Sequence, residues 1–252
     1  MRVLLWKEML EQWRSYRLLI VVAILLAAGI LGPLTARYLN EILASLPDTP
    51  AGLEAILPKP DVAMSITELV NNLAQFGLIL ALLVPMAAVV GEKVSGTAAI
   101  TLSKPVSRAS FVFAKFLALA ITFAAGLGLG VGAGYAYTGT LFVWLPPLGF
   151  VALAGLLLLY VLVYASLSLL ASTLMRSQLA AAGLAVGFSI LIGVLGTLPP
   201  LARLLPGALI GWGRGMAGSV PVPAAWGAAV VSVAAILMTL LASWAVLRKA
   251  EI

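Results

Sequence analysis

Six stretches of this chain keep apolar residues in unbroken company for long enough to cross a bilayer: 18–36, 69–90, 111–138, 148–174, 179–198 and 225–247. A helix needs about 20 mostly apolar residues to traverse the hydrocarbon core. Each stretch therefore predicts a transmembrane helix. The third and fourth exceed that length, so tilt or overhang is expected there. The predicted fold class is an all-α integral membrane protein, one transmembrane domain over 1–252.

The segments between these runs differ in kind. In 1–17, Trp6, Met9, Leu10 and Trp13 recur at helical spacing, with Lys7, Glu8, Glu11 and Arg14 on the other side. That pattern fits a helix lying in the membrane interface, tryptophans at headgroup depth; a plain extension of the first span is the competing reading. Glu8 and Glu11 precede the first span and no small-x-small site follows it, so an uncleaved anchor is expected. Residues 37–68 carry five acids and Pro47, Pro50, Pro58 and Pro60, which predicts short helices broken by turns, as an external segment. Residues 199–223 hold Leu201, Leu204, Leu205, Leu209, Ile210 and Trp212 between prolines and glycines. They are too apolar for a free loop and too interrupted for a span, so a re-entrant external segment is expected. Residues 91–110 are different again: a polar, basic stretch between two apolar runs.

Composition agrees with lipid. Apolar residues make up 63% of the 252 and charged ones 10%, whereas soluble domains carry about 25% charged residues. Cysteine and histidine are both absent, which removes disulfides, thiolate metal sites and imidazole general bases. A net charge of +6 is read as cytoplasmic loops and anionic headgroups, with no nucleic-acid partner. With both termini inside, only Arg37, Lys59, Arg203 and Arg214 of the 15 basic residues fall outside. The positive-inside rule then favours an N-in, C-in topology.

Within the spans, Gly126, Gly130 and Gly134 form one row at four-residue spacing, Gly128 and Gly132 a second, and Gly183 and Gly187 a third. Such rows let helix backbones approach closely in lipid, within one subunit or across a dimer. No ionisable residue lies near the middle of a span, Glu68 and Lys115 sitting at span ends; that disfavours an ion-driven carrier. Ser166, Ser168, Ser172 and Thr173 are expected to bond back to their own helix. The chain has no Gly-x-x-x-x-Gly-Lys-Ser/Thr loop and no paired catalytic groups, so no catalytic, cofactor or metal site is assigned, and the chain is read as a non-enzyme.

The polar segment Gly91-Glu92-Lys93, then Ser95-Gly96-Thr97, Leu102-Ser103-Lys104-Pro105-Val106-Ser107-Arg108 and Lys115, resembles the ABC-2 type transporter permeases. The likeness is strongest to the branch of multi-copper enzyme maturation permeases. The resemblance implies a type V exporter-like permease architecture in the bacterial cell membrane, with a second permease copy as homodimer or pseudodimer. It implies a separate ABC ATPase subunit that binds ATP and Mg, and a cytoplasmic coupling helix formed by this loop. By position, Glu92, Lys93, Gly96, Thr97 and Lys104 would shape that helix, and Pro105, Val106, Ser107 and Arg108 the turn into span three. Two functions follow: an ATP-driven exporter subunit, or a scaffold passing ATPase motion to an extracytoplasmic protein.

Overall fold

A computed structural model of the chain describes residues 2–44, 59–94 and 107–249. The described residues contain helices and no strand. Helix α1 (Arg2–Arg14) turns through Tyr16, at φ 59°, into α2 (Arg17–Ala44). A non-glycine residue in the left-handed region costs about 1–2 kcal/mol, and here it makes the corner between two helices. Asp61 caps α3 (Val62–Leu83) by accepting from Met64 N at 2.7 Å. A 3-10 turn (Pro85–Ala87) and the short α4 (Val90–Val94) continue that path.

Ser107 caps α5 (Arg108–Leu141), its Oγ accepting from Ser110 N at 3.1 Å. Then come α6 (Pro147–Leu174), α7 (Gln178–Leu195), α8 (Pro199–Ala202), α9 (Gly207–Ala217) and α10 (Trp226–Lys249). Six of these segments are long and apolar enough to cross a membrane: Arg17–Leu39, Val62–Val94, Arg108–Leu141, Pro147–Leu174, Gln178–Leu195 and Trp226–Arg248.

The segment expected at 37–68 is helical at both ends. Residues 37–44 prolong α2 and 62–68 open α3, because polar side chains at a membrane surface do not stop a helix where the segment itself has no proline. Residues 45–58 lie outside the described residues. The second span is not one straight helix either. Pro85 has no N–H to donate, so the ladder stops there and resumes at Val90.

Helix α6 is the hub, packing against α3, α5, α7, α9 and α10. Helices α2, α3 and α5 pack on one another beside it. Glycine sets how closely they come. A Cβ on Gly29 would overlap Gly130 O, and one on Gly130 would stand 2.5 Å from Leu25 O. Gly126 faces Leu25 and Val21, and Gly134 faces Leu69. Gly128 and Gly132 meet nothing within 4 Å, and neither do Gly183 and Gly187. Helix α7 buries only Ala181 and Ala185. The main apolar core runs through α2, α3, α5, α6 and α9. A smaller one, around Phe111, Val112, Leu169, Leu240 and Leu247, joins α5, α6 and α10 at the end where residues 95–106 emerge.

Gly130→Val should destabilise the protein by about 3 kcal/mol or more, since the α2 backbone must retreat. Gly132→Val, two residues on, should stay within about 0.5 kcal/mol of the parent. Detergent-titrated unfolding of the purified variants measures both.

Candidate functional site

The polar segment 91–108, the elbow between the second and third spans, leaves the bundle at an end that begins with a repair. Where the second span breaks at Pro85, backbone groups lose their helical partners in a setting without water, and an unmade bond there is costly. Helix α6 supplies the missing partners. Ser168 Oγ donates to Leu82 O at 2.7 Å, and Ser172 Oγ accepts from Val89 N and Val90 N, both at 3.0 Å. Ser166 and Thr173 do bond back within α6, to Val163 O and Leu170 O. The expectation that all four hydroxyls serve their own helix therefore fails for Ser168 and Ser172. The break next door offers them stranded partners.

Beside this seam lies a buried ionic cluster. Lys115, on the second turn of α5, is 2% exposed. Its ammonium donates to Glu8 Oε1 and Oε2 at 3.1 and 3.0 Å and to Glu92 Oε1 at 2.8 Å. It also stands 4.9 Å from the Phe111 ring centroid. Lys7, 40% exposed, reaches Glu92 Oε1 at 2.6 Å and Glu8 Oε1 at 3.2 Å. Glu11 lies 3.7 Å from Lys7 and 3.8 Å from Arg17. One helical turn beyond Glu8, Gln12 accepts a hydrogen bond from Thr122. Leu4, Glu8 and Gln12 thus form one buried stripe of α1 laid along α5.

Three carboxylates and three cations balance within this cluster. Glu8, Glu11 and Glu92 bring carboxylate oxygens within 4.8 Å of one another, a spacing that suits a cation. Lysine ammoniums already stand among them, so a divalent ion would add uncompensated charge. The arrangement is a junction of three elements, not a metal centre.

Burial pulls the Lys7 ammonium down, but the hydrogen bond to Glu92 and the charges of Glu8 and Glu92 outweigh it and hold it above the usual lysine value. Lys93 donates to Thr173 O at 2.5 Å and Arg108 to Leu247 O. Both cations therefore serve carbonyls in the last turns of α6 and α10, where a helix leaves acceptors without partners.

Of the elbow residues named from sequence, the structure describes Glu92, Lys93, Ser107 and Arg108; Glu92, Lys93 and Arg108 tie its two ends to the bundle, and Ser107 caps its own helix. Gly96, Thr97, Lys104, Pro105 and Val106 lie outside the described residues. Gln12 and Thr122 join the site unannounced by sequence. Lys115 was marked there only as part of the motif, Glu8 only by the polar side of α1, and Ser168 and Ser172 only as hydroxyls serving their own helix. In α1 the tryptophans face outward, Trp6 at 67% and Trp13 at 65% exposed, while Glu8 turns inward. Glu8 does lie on the side away from the tryptophans, and that side meets protein, because beside lipid the polar face can be the one that packs inward.

At the opposite end, Arg214 on α9 donates to Asn71 Oδ1 at 2.8 Å. Near it opens a cleft of about 710 Å³ whose lining is Leu204, Trp212, Val222, Pro223 and Ala225, with Arg203 as its charged member.

Residues 2–209 match the family described as ABC-2 family transporter protein. The chain is also 29% identical over 207 residues to the uncharacterized transmembrane protein YxlG of Bacillus subtilis (strain 168), an alignment covering 82% of this chain and 80% of that one.

Ser172→Ala strands two buried N–H groups and should cost roughly 1–3 kcal/mol, more than Ser166→Ala, in thermal unfolding. A lysine held above its ordinary pKa contributes stability that is fully present below the unfolded value, roughly 10.4, and is lost as pH rises through the folded one. Stability should therefore hold through neutral pH and fall in the alkaline range. Lys7→Met should flatten part of that fall when melting temperature is followed against pH.

Proposed function

This chain belongs to the ABC-2 family of transporter proteins, as a multi-pass membrane permease component whose partner is an ABC ATPase subunit, and on that premise we propose that it is an exporter subunit driven through residues 91–108. ATP and Mg are bound by the partner ATPase, and closure of that partner presses on the elbow. A second permease copy completes the translocation path. The wall available to cargo is largely apolar, which favours apolar or amphipathic material.

One observation carries this reading: both ends of the elbow are tied to the bundle by polar bonds, fully buried at Glu92–Lys115 and part-buried at Lys93 and Arg108. Glu92 is held by Lys115 and Lys7, and Lys93 by the last turn of α6. On the far side, Ser107 caps α5 and Arg108 reaches the last turn of α10. A loop that merely connects two spans needs no such anchorage. A loop that receives force does, since any slack at its ends would absorb the motion.

The test uses the permease purified with its ATPase and reconstituted in vesicles. Gly96→Val together with Lys104→Glu should weaken co-purification of the ATPase or lower permease-dependent ATP hydrolysis about tenfold, the scale of a typical coupling free energy. Membrane insertion should be unchanged. Unaltered assembly and hydrolysis in that double variant would remove the elbow from the mechanism.

A further inference from the structure

The Lys115 ammonium has three donors and all are used, two on Glu8 of α1 and one on Glu92 of α4. It lies on α5, so a single buried group ties together three elements. The chain itself fixes them poorly. Helix α1 is joined to α2 through the corner at Tyr16, and α4 reaches α5 only through residues 95–106. Gln12 and Thr122 add a second bond between α1 and α5 two turns along. Pulling Lys115 from both carboxylates would leave its buried charge without a partner, so this contact resists opening.

We propose that Lys115 is a positioning residue that makes α1, α4 and the first turns of α5 one moving block, so that a stroke received at residues 95–106 is delivered to α1 as well as to α5. The inference rests on the coupling reading above. It adds that α1, with Val3, Trp6 and Trp13 on its exposed face, is a driven part and not a passive float.

The absence of cysteine makes spin labelling direct. Labels at Val3→Cys on α1, Leu117→Cys on α5 and Leu179→Cys on α7 sit at exposed positions. Distances are measured pairwise in the vesicle-embedded complex with its ATPase, nucleotide-free and in the ATP-trapped state. Both the Val3–Leu179 and Leu117–Leu179 distances should shift with ATP, while Val3–Leu117 stays fixed. In Lys115→Met the Val3–Leu179 shift should be lost and Val3–Leu117 should broaden, with Leu117–Leu179 still responding. Lys115→Arg, which keeps a positive charge and donors for both Glu8 and Glu92, should retain the parent pattern, which a purely structural loss of packing would not do.

If Lys115→Met does not assemble, Lys115→Met with Glu8→Gln removes one charge of each sign and answers the same question. An ATP-driven change in Val3–Leu117 in the parent, or a parent-like Val3 response in Lys115→Met, overturns the block and leaves elbow coupling standing. Should neither distance to Leu179 move while the complex hydrolyses ATP, the coupling reading falls and the block with it.

Discussion

The buried ammonium of Lys115 is the constraint around which the elbow end is organised. Taking such a charge out of water costs several kcal/mol even after relaxation, and it is tolerated here because two carboxylates converge on it from different helices. An apolar contact of similar volume would often hold the helices together as well or better. What the ionic junction adds is registry. Glu8 has one place along α5 where it meets Lys115, and Gln12 then falls opposite Thr122. Helix α1 cannot slide by a turn without leaving charge uncompensated.

The six crossings were legible because length and apolarity alone decide them, and lipid demands both. Their ends were less so. The sequence marks where apolar residues stop, whereas a helix stops where its backbone bonding stops, hence the extra turns at 37–44 and 62–68. The elbow stood out as the polar interval, and Ser107 and Pro105 marked the entry to α5. Lys115 stood out only as part of the motif and Glu8 only as part of a polar side, and their pairing did not stand out at all. Glu8 and Lys115 are 107 residues apart, and periodicity on one helix carries no record of its partner on another. Trp6 and Trp13 correctly gave α1 two faces, but which face meets protein depends on what surrounds it.

Small residues serve two separate purposes in this bundle. Glycine on α2 and α5 removes side chains so that backbones touch, most sharply at Gly29 and Gly130. Serine on α6 instead provides bonds to a neighbour whose helix is broken. The two devices depend on each other. The close triad of α2, α3 and α5 makes a firm wall, and α6 can mend the break at Pro85 because it lies against that wall in fixed register. A second span without the break would need no Ser168 or Ser172.

How rigidity is distributed bears on what can move. The elbow's ends are bonded to α1, α5, α6 and α10, so a displacement of residues 95–106 is shared among four helices from the outset. Helix α7 stands apart. It leans on α6 with two buried alanines and offers Gly183 and Gly187 to open space. Few apolar contacts mean a low local cost of displacement. A force entering at the ends of the coupling segment would meet a body in which α5 and α6 are closely packed. Among the six candidate spans, the one in α7 is the least buried inside the subunit, so displacing it would break fewer apolar contacts than displacing any other span.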